Sequence, residues 1–138
     1  DQGRPRASPR TGGRKTMKIR DVIPDIPVSD IEASRGFYED FLGLGTEEFN
    51  LGWVARFTSA ETGAHVQLVT KDATAPITPV LSLKVDDIDA AYAEAVDRGL
   101  DIVHPLTTEE WGVTRFFVRD PDGNAINITQ HRATEDRE

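Results

Sequence analysis

Cysteine is absent from the 138-residue sequence, which excludes a disulfide framework and any thiolate metal site. Long apolar runs are absent too. No stretch approaches the ~20 residues that cross a bilayer, and the first residues lack the apolar stretch of a signal peptide. No membrane partner is expected, and a reducing cytoplasm is the expected compartment. Basic residues are in deficit, 16 Lys and Arg against 24 Asp and Glu, for a formal charge of −8. An acidic surface repels phosphate, so no nucleic-acid partner is expected. It would attract cationic ligands, although the same charge also serves plain solubility.

The charge is uneven. Residues 1–16 carry Arg4, Arg6, Arg10, Arg14 and Lys15 against Asp1, net +4, which leaves −12 on 17–138. This segment is rich in Arg, Gly, Pro and Ser and has no apolar periodicity, so it cannot offset its ordering entropy. Residues 1–16 are expected to form a disordered basic tail, upstream or vector-derived, with Met17 as the original start. A basic arm with a binding role is the alternative.

What is present, from Met17 on, is an internal repeat. Val28-Ser29-Asp30-Ile31-Glu32-Ala33 matches Val85-Asp86-Asp87-Ile88-Asp89-Ala90 at an offset of 57. Arg56-Phe57 matches Arg115-Phe116 at 59, and Gly63-Ala64-His65-Val66-Gln67-Leu68 matches Gly123-Asn124-Ala125-Ile126-Asn127-Ile128 at 60. The patterning of each unit predicts a strand, a helix and three short strands. The first strands are expected near 19–28 and 79–85, and the helices near 30–42 and 87–98. The later strands are expected near 46–50, 53–59 and 64–70, then near 101–104, 114–119 and 124–130. Ser29 with Glu32, and Asp86 with Asp89, have capping-box spacing. Ile31, Phe37, Tyr38 and Phe41 would share one side of the first helix. Gly43 and Gly99 are expected to stop the helices, and Asp120-Pro121-Asp122-Gly123 to form a tight turn. Pro24 and Pro27 predict an edge or irregular first strand. Module one is placed at about 17–75 and module two at about 76–131, in one domain over 17–138.

A duplicated βαβββ unit closing on DPDGN resembles the vicinal oxygen chelate superfamily of glyoxalases, bleomycin-resistance proteins and dioxygenases. The resemblance is carried by Val28-Ser29-Asp30 leading to Gly36-Phe37-Tyr38-Glu39-Asp40-Phe41-Leu42-Gly43-Leu44. Val85-Asp86-Asp87, Trp111-Gly112 and Phe116 through Asn124 complete it, so that it covers nearly all of 19–131. It implies an α+β fold in which two βαβββ modules form a curved mixed sheet, the glyoxalase/bleomycin-resistance fold. A ligand would bind in the cup, built within one chain or across a dimer. Within the superfamily the chain looks most like the metal-free, bleomycin-resistance-like members.

Family enzymes hold a divalent metal on the concave face, on the first and fourth strands of each unit. The resemblance puts those ligand positions at Ile23, Gln67, Val80 and Asn127. Ile and Val have no lone pair to give, and two neutral amides are too weak a set. No metal and no other cofactor is expected. His65, His104 and His131 show no local zinc spacing.

Strand alternation then predicts what lines the cup. Ile23 and Asp25, His65, Gln67 and Val69, Ser82 and Lys84, and Asn127 and Thr129 should face it. Trp53 and Trp111, 58 residues apart, would stand on opposite sides of the cleft and hold a flat ring or a cation, or merely cap the sheet. Phe117 is expected to join them. The ligand-binding set is therefore Asp25, Trp53, His65, Gln67, Trp111, Phe117 and Asn127. No nucleophile–base pair is visible, and no catalytic residue is assigned. The leading expectation is a metal-independent protein that binds or sequesters a small organic molecule, aromatic or cationic, as a homodimer. The alternatives are a lyase, isomerase or dioxygenase of the same superfamily, or an interaction domain without a pocket.

Overall fold

The computed structural model describes residues 17–131. The expected basic tail over 1–16 lies outside the described residues, as do residues 132–138. Strand β1 is Ile19–Pro27, followed by helix α1, Ile31–Arg35, which continues into a π-helical segment, Gly36–Phe41. Strands β2 (Thr46–Asn50), β3 (Val54–Thr58) and β4 (His65–Val69) follow. The same order then repeats as β5 (Leu81–Val85), α2 (Ile88–Asp97), β6 (Ile102–Thr108), β7 (Val113–Arg119) and β8 (Ala125–His131). No described helix is long and apolar enough to cross a membrane.

All eight strands form one mixed sheet in the order β2-β3-β4-β1-β5-β8-β7-β6. β1 and β5 meet antiparallel at its centre, with Ile23 opposite Ser82. Each is also parallel to the last strand of its own module, with Asp25 beside Gln67 and Ser82 beside Asn127. The two modules thus build a single sheet within one chain. The expectation of an edge position for β1 is corrected here, because β1 is central. Its irregularity takes another form: it pairs with β5 up to Pro24 and with β4 from Asp25 on. The handover lets a proline-bearing strand sit mid-sheet, although each proline lacks a ladder donor.

Each helix covers one half of the convex face. The core between α2 and the sheet holds Ile88, Ala91 and Ala95 of the helix with Val85 and Phe116 of the sheet, and Tyr92 lies edge-on to Phe116 at 5.0 Å. The core beneath α1 holds Ile31 of the helix with Leu44, Ala55, Phe57 and Leu68. Both helices start one residue later than the capping-box spacing suggests. Asp30 caps α1 by accepting from the Glu32 and Ala33 N–H groups, and Asp87 caps α2 by accepting from Ala90. Asp86 is occupied elsewhere, accepting the Lys18 N–H at 2.7 Å.

The first helix departs most from its pattern. A 3.6-residue period would bury Phe37 and Phe41, yet they are 54% and 75% exposed. The wider π turn, marked by Leu42 N–H donating to Phe37 C=O, rotates them off the buried face. Tyr38 still packs on the core. Gly99 and Gly123 do stop α2 and close the DPDG turn, at φ of 67° and 92°, a region open to glycine without a Cβ penalty.

Candidate functional site

Opposite the helices, the sheet curves around a cavity of about 210 Å3 lined by residues of both modules. Alternation along β1, β4, β5 and β8 turns Ile23, Asp25, Gln67, Ser82 and Asn127 onto its floor.

The floor is a directed chain of hydrogen bonds. Arg56 on β3 sits directly across from Gln67 on β4. Its Nε and Nη2 both donate to Gln67 Oε1, at 3.1 and 2.8 Å. Arginine only donates, so the Gln67 amide is oriented, and its Nε2 donates to Asp25 Oδ1 at 2.7 Å. Ser82 Oγ donates to Asp25 Oδ2 at 2.7 Å. Having spent its proton on the carboxylate, that hydroxyl accepts from Asn127 Nδ2 at 3.0 Å. Every bond in the chain therefore runs toward Asp25. Asp25 is 6% exposed. Burial pushes its carboxyl up to about 6, although the Ser82 and Gln67 hydrogen bonds and the Arg56 charge pull the other way.

A second network closes the cavity on the module-two side. Arg115 on β7 grips Asp72 with two parallel bonds of 2.9 and 2.7 Å and donates from Nε to Glu109 at 2.8 Å. His104 Nε2 lies 3.0 Å from the same Glu109 oxygen. Burial alone would raise Asp72 and Glu109. The Arg115 bonds, helped by backbone N–H groups at Asp72 and by His104 at Glu109, outweigh it and hold both below the usual carboxylate range. The guanidinium also lies over the Trp111 and Phe117 rings, at 5.1 and 4.9 Å.

Of the residues expected at the site, Asp25, Gln67, Asn127, Trp53 and Trp111 line the one cavity. The tryptophans do not face each other across it. Their rings meet edge to face at 5.3 Å and form one wall. A two-fold relation separates equivalent residues only if they lie far from its axis, and these two lie close to it. Phe117 is fully buried on the cup side, beneath Arg115 and edge-on to His104. His65 does not line the cavity; its Nε2 lies 3.2 Å from Asp21 Oδ1. Val80, at the mouth of β5, is half exposed and also outside the lining.

Sequence reasoning did not assign Arg56, Arg115 and Asp72 to the site. The repeat flagged both arginines, and alternation from the core residue Phe57 turns Arg56 inward. Nothing local marks Asp72, which reaches the site only through the β4–β5 connection. The arginines matched by the repeat also prove inequivalent in register: Arg56 faces Gln67, whereas Arg115 faces Thr129 and the residue across from Asn127 is Phe117.

The divalent metal of the resembling enzymes finds no suitable donors here. Ile23 offers none, and Gln67 Oε1 is turned onto a guanidinium that would repel a cation. Among the described residues, no three His, Asp or Glu side chains are grouped to hold a metal ion.

Comparison with known proteins agrees with this architecture. A bleomycin resistance protein of Geobacillus stearothermophilus is 29% identical over 133 residues, covering 78% of this chain and 94% of its own. A glyoxalase/bleomycin resistance protein/dioxygenase superfamily member from Vibrio splendidus 12B01 superposes with a TM-score of 0.61 at 22% identity, over 82% of this chain and 99% of its own. A structure from Legionella pneumophila described as an NAD-dependent benzaldehyde dehydrogenase shares the fold, with a TM-score of 0.66 at 21% identity over 81% and 100% of the two chains. The family model for the Glyoxalase/Bleomycin resistance protein/Dioxygenase superfamily matches residues 18–128. With its two βαβββ modules, its eight-stranded sheet and that match over most of its length, the chain belongs to the Glyoxalase/Bleomycin resistance protein/Dioxygenase superfamily.

Proposed function

We propose that this protein is a metal-independent small-molecule binding protein that sequesters an antibiotic or metabolite in the cup between its modules. The observation that carries this reading is the pairing of a hydrogen-bonding floor with an aromatic wall in one cavity. At about 210 Å3 the cavity exceeds the ~150 Å3 that accommodates benzene. One or two rings fit, and a larger molecule would project through the mouth. The bleomycin resistance relatives support an antibiotic as the guest. The reading includes a homodimer, supported by the exposed apolar surface of Phe37, Phe41 and Leu42.

A second reading, a lyase or isomerase that moves a proton through Asp25, is favoured by the carboxyl pushed up to about 6 in a cavity. A thermal-shift screen with planar antibiotics, bleomycin-class compounds and aromatic metabolites tests the first. A true ligand at about 100 times its Kd stabilises by roughly 2.7 kcal/mol, a rise of several degrees in melting temperature. A panel that produces no shift overturns the binding reading, and a ligand recovered chemically altered favours the enzyme.

A further inference from the structure

The two halves of the floor are built from matching parts but finished differently. Gln67 and Asn127 occupy equivalent places, each beside the first strand of its module. Gln67 Oε1 is capped by the fork of Arg56, which stands directly across from it. The residue across from Asn127 is Phe117, which has nothing to donate. Arg115, the nearest candidate to play the part of Arg56, is two pairs further along and gripped by Asp72 and Glu109. Asn127 Oδ1 is accordingly buried with no hydrogen-bond partner among the described residues. Asn127 is 8% exposed and lines the cavity.

The Asn127 amide cannot cure this by turning over. Ser82 has one proton, and the charge-assisted bond to Asp25 takes it. Toward Asn127 the hydroxyl is an acceptor, so it holds the NH2 end and leaves Oδ1 open. Asp25 accepts two bonds, where a carboxylate has about four lone-pair sites. Asp25 and Asn127 both lean on the same hydroxyl, so two acceptors, one of them charged, stand one side chain apart on the floor.

We infer that this half of the floor takes a planar, forked N–H donor of the ligand, an amidine, guanidine or 2-amino heterocycle, on Asn127 Oδ1 and Asp25, in the role Arg56 plays for Gln67. The inference rests on the proposed binding of a small molecule in the cup and names its recognised group. The Trp53–Trp111 wall suits an aromatic ring attached to that group. The cations of the cavity do not turn it into an anion site, because Arg56 and Arg115 already face Gln67, Glu48, Asp72 and Glu109, and Lys84, the third cation on the lining, is engaged as well.

Benzamidine is the probe, with benzoate as its anionic shape-match, each titrated by calorimetry and by the fluorescence of the two tryptophans. Benzamidine is expected to bind at least tenfold tighter than benzoate. Asn127→Leu, which removes the acceptor at similar size, is expected to weaken benzamidine by about tenfold or more. Asp25→Asn is expected to do the same by a second route: with no carboxylate to serve, Ser82 donates to Asn127 Oδ1 and caps it. Benzoate binding as tightly as benzamidine, or Asn127→Leu and Asp25→Asn binding benzamidine like the parent, overturns the inference. If benzamidine fails while other aromatics in the screen bind, only the inference falls. If nothing binds, the cup reading falls with it.

Discussion

Asp25 shows how one residue acquires a property that its side chain does not carry alone. In the unfolded chain it ionises near 3.8, and in the cup near 6, because burial outweighs two hydrogen bonds and the Arg56 charge, with Asp72 adding to the rise. Lys84 and His131 also line the cavity that Asp25 faces. The folded state thus holds the Asp25 proton more tightly than the unfolded state, so acidification from above 6 toward 4 favours folding through this group. A shift of about two units corresponds to roughly 3 kcal/mol at most. Urea melts are expected to show parent stability rising by about 1–1.5 kcal/mol between pH 7.5 and pH 5. Asp25→Asn is expected to remove most of that rise. Parallel pH profiles for the two proteins would show that Asp25 is not the group responsible. Asp72 and Glu109 act oppositely: both are held below the usual range, and their contribution is lost as pH falls through their lowered values. Alternation along β1 brought Asp25 to the cup. Its desolvation depends on four other strands and was invisible in the pattern.

Among the elements, the β4–β5 connection is the one that tertiary contact defines. Asp72 and Thr74 on that connection are tied to β7 and to the turn before it by Arg115 and Glu109, with Asp72, Arg115 and Glu109 nearly fully buried. Removing the cation leaves two buried carboxylates uncompensated. Arg115→Met is expected to cost about 3–5 kcal/mol of unfolding free energy at pH 7, and the loss should shrink at pH 4 as those carboxylates protonate. A change under 1 kcal/mol in chemical denaturation would show the grip to be idle. The first helix is the other case. Its apolar spacing was readable, but its π turn was not, because an i to i+5 bond pattern departs from the 3.6-residue period on which that reading depends.

The molecule as a whole joins two modules into one sheet through β1 and β5, which places the cup within a single chain. Dimerisation is therefore not required to complete the cavity. It would instead cover the surface where Phe41 stands 75% exposed beside Phe37, their rings 5.4 Å apart. Light scattering at micromolar concentration is expected to give twice the 15.3 kDa chain, and Phe41→Glu to return the mass to one chain with the fold intact. A parent mass near that of one chain would refute the dimer, and a dimeric Phe41→Glu would place its contact elsewhere.

By itself the sequence determined the architecture. The duplicated strand, helix and turn signals recur at nearly constant offsets, and strand and helix periods are local properties that each segment carries with it. Alternation, which follows from the pleat, also brought Ile23, Asp25, Gln67, Ser82 and Asn127 to the cup, though not His65, which it had grouped with them. Strand order, register and depth were decided only by the tertiary structure. Those relations put Arg56 across from Gln67 but Phe117 across from Asn127, brought the tryptophans into contact, and drew Asp72 from a connecting segment onto Arg115. The tryptophan contact and the Asp72–Arg115 grip join residues far apart along the chain, and the two cross-strand pairs depend on the register at which neighbouring strands meet, so no periodicity within a single segment can encode any of them.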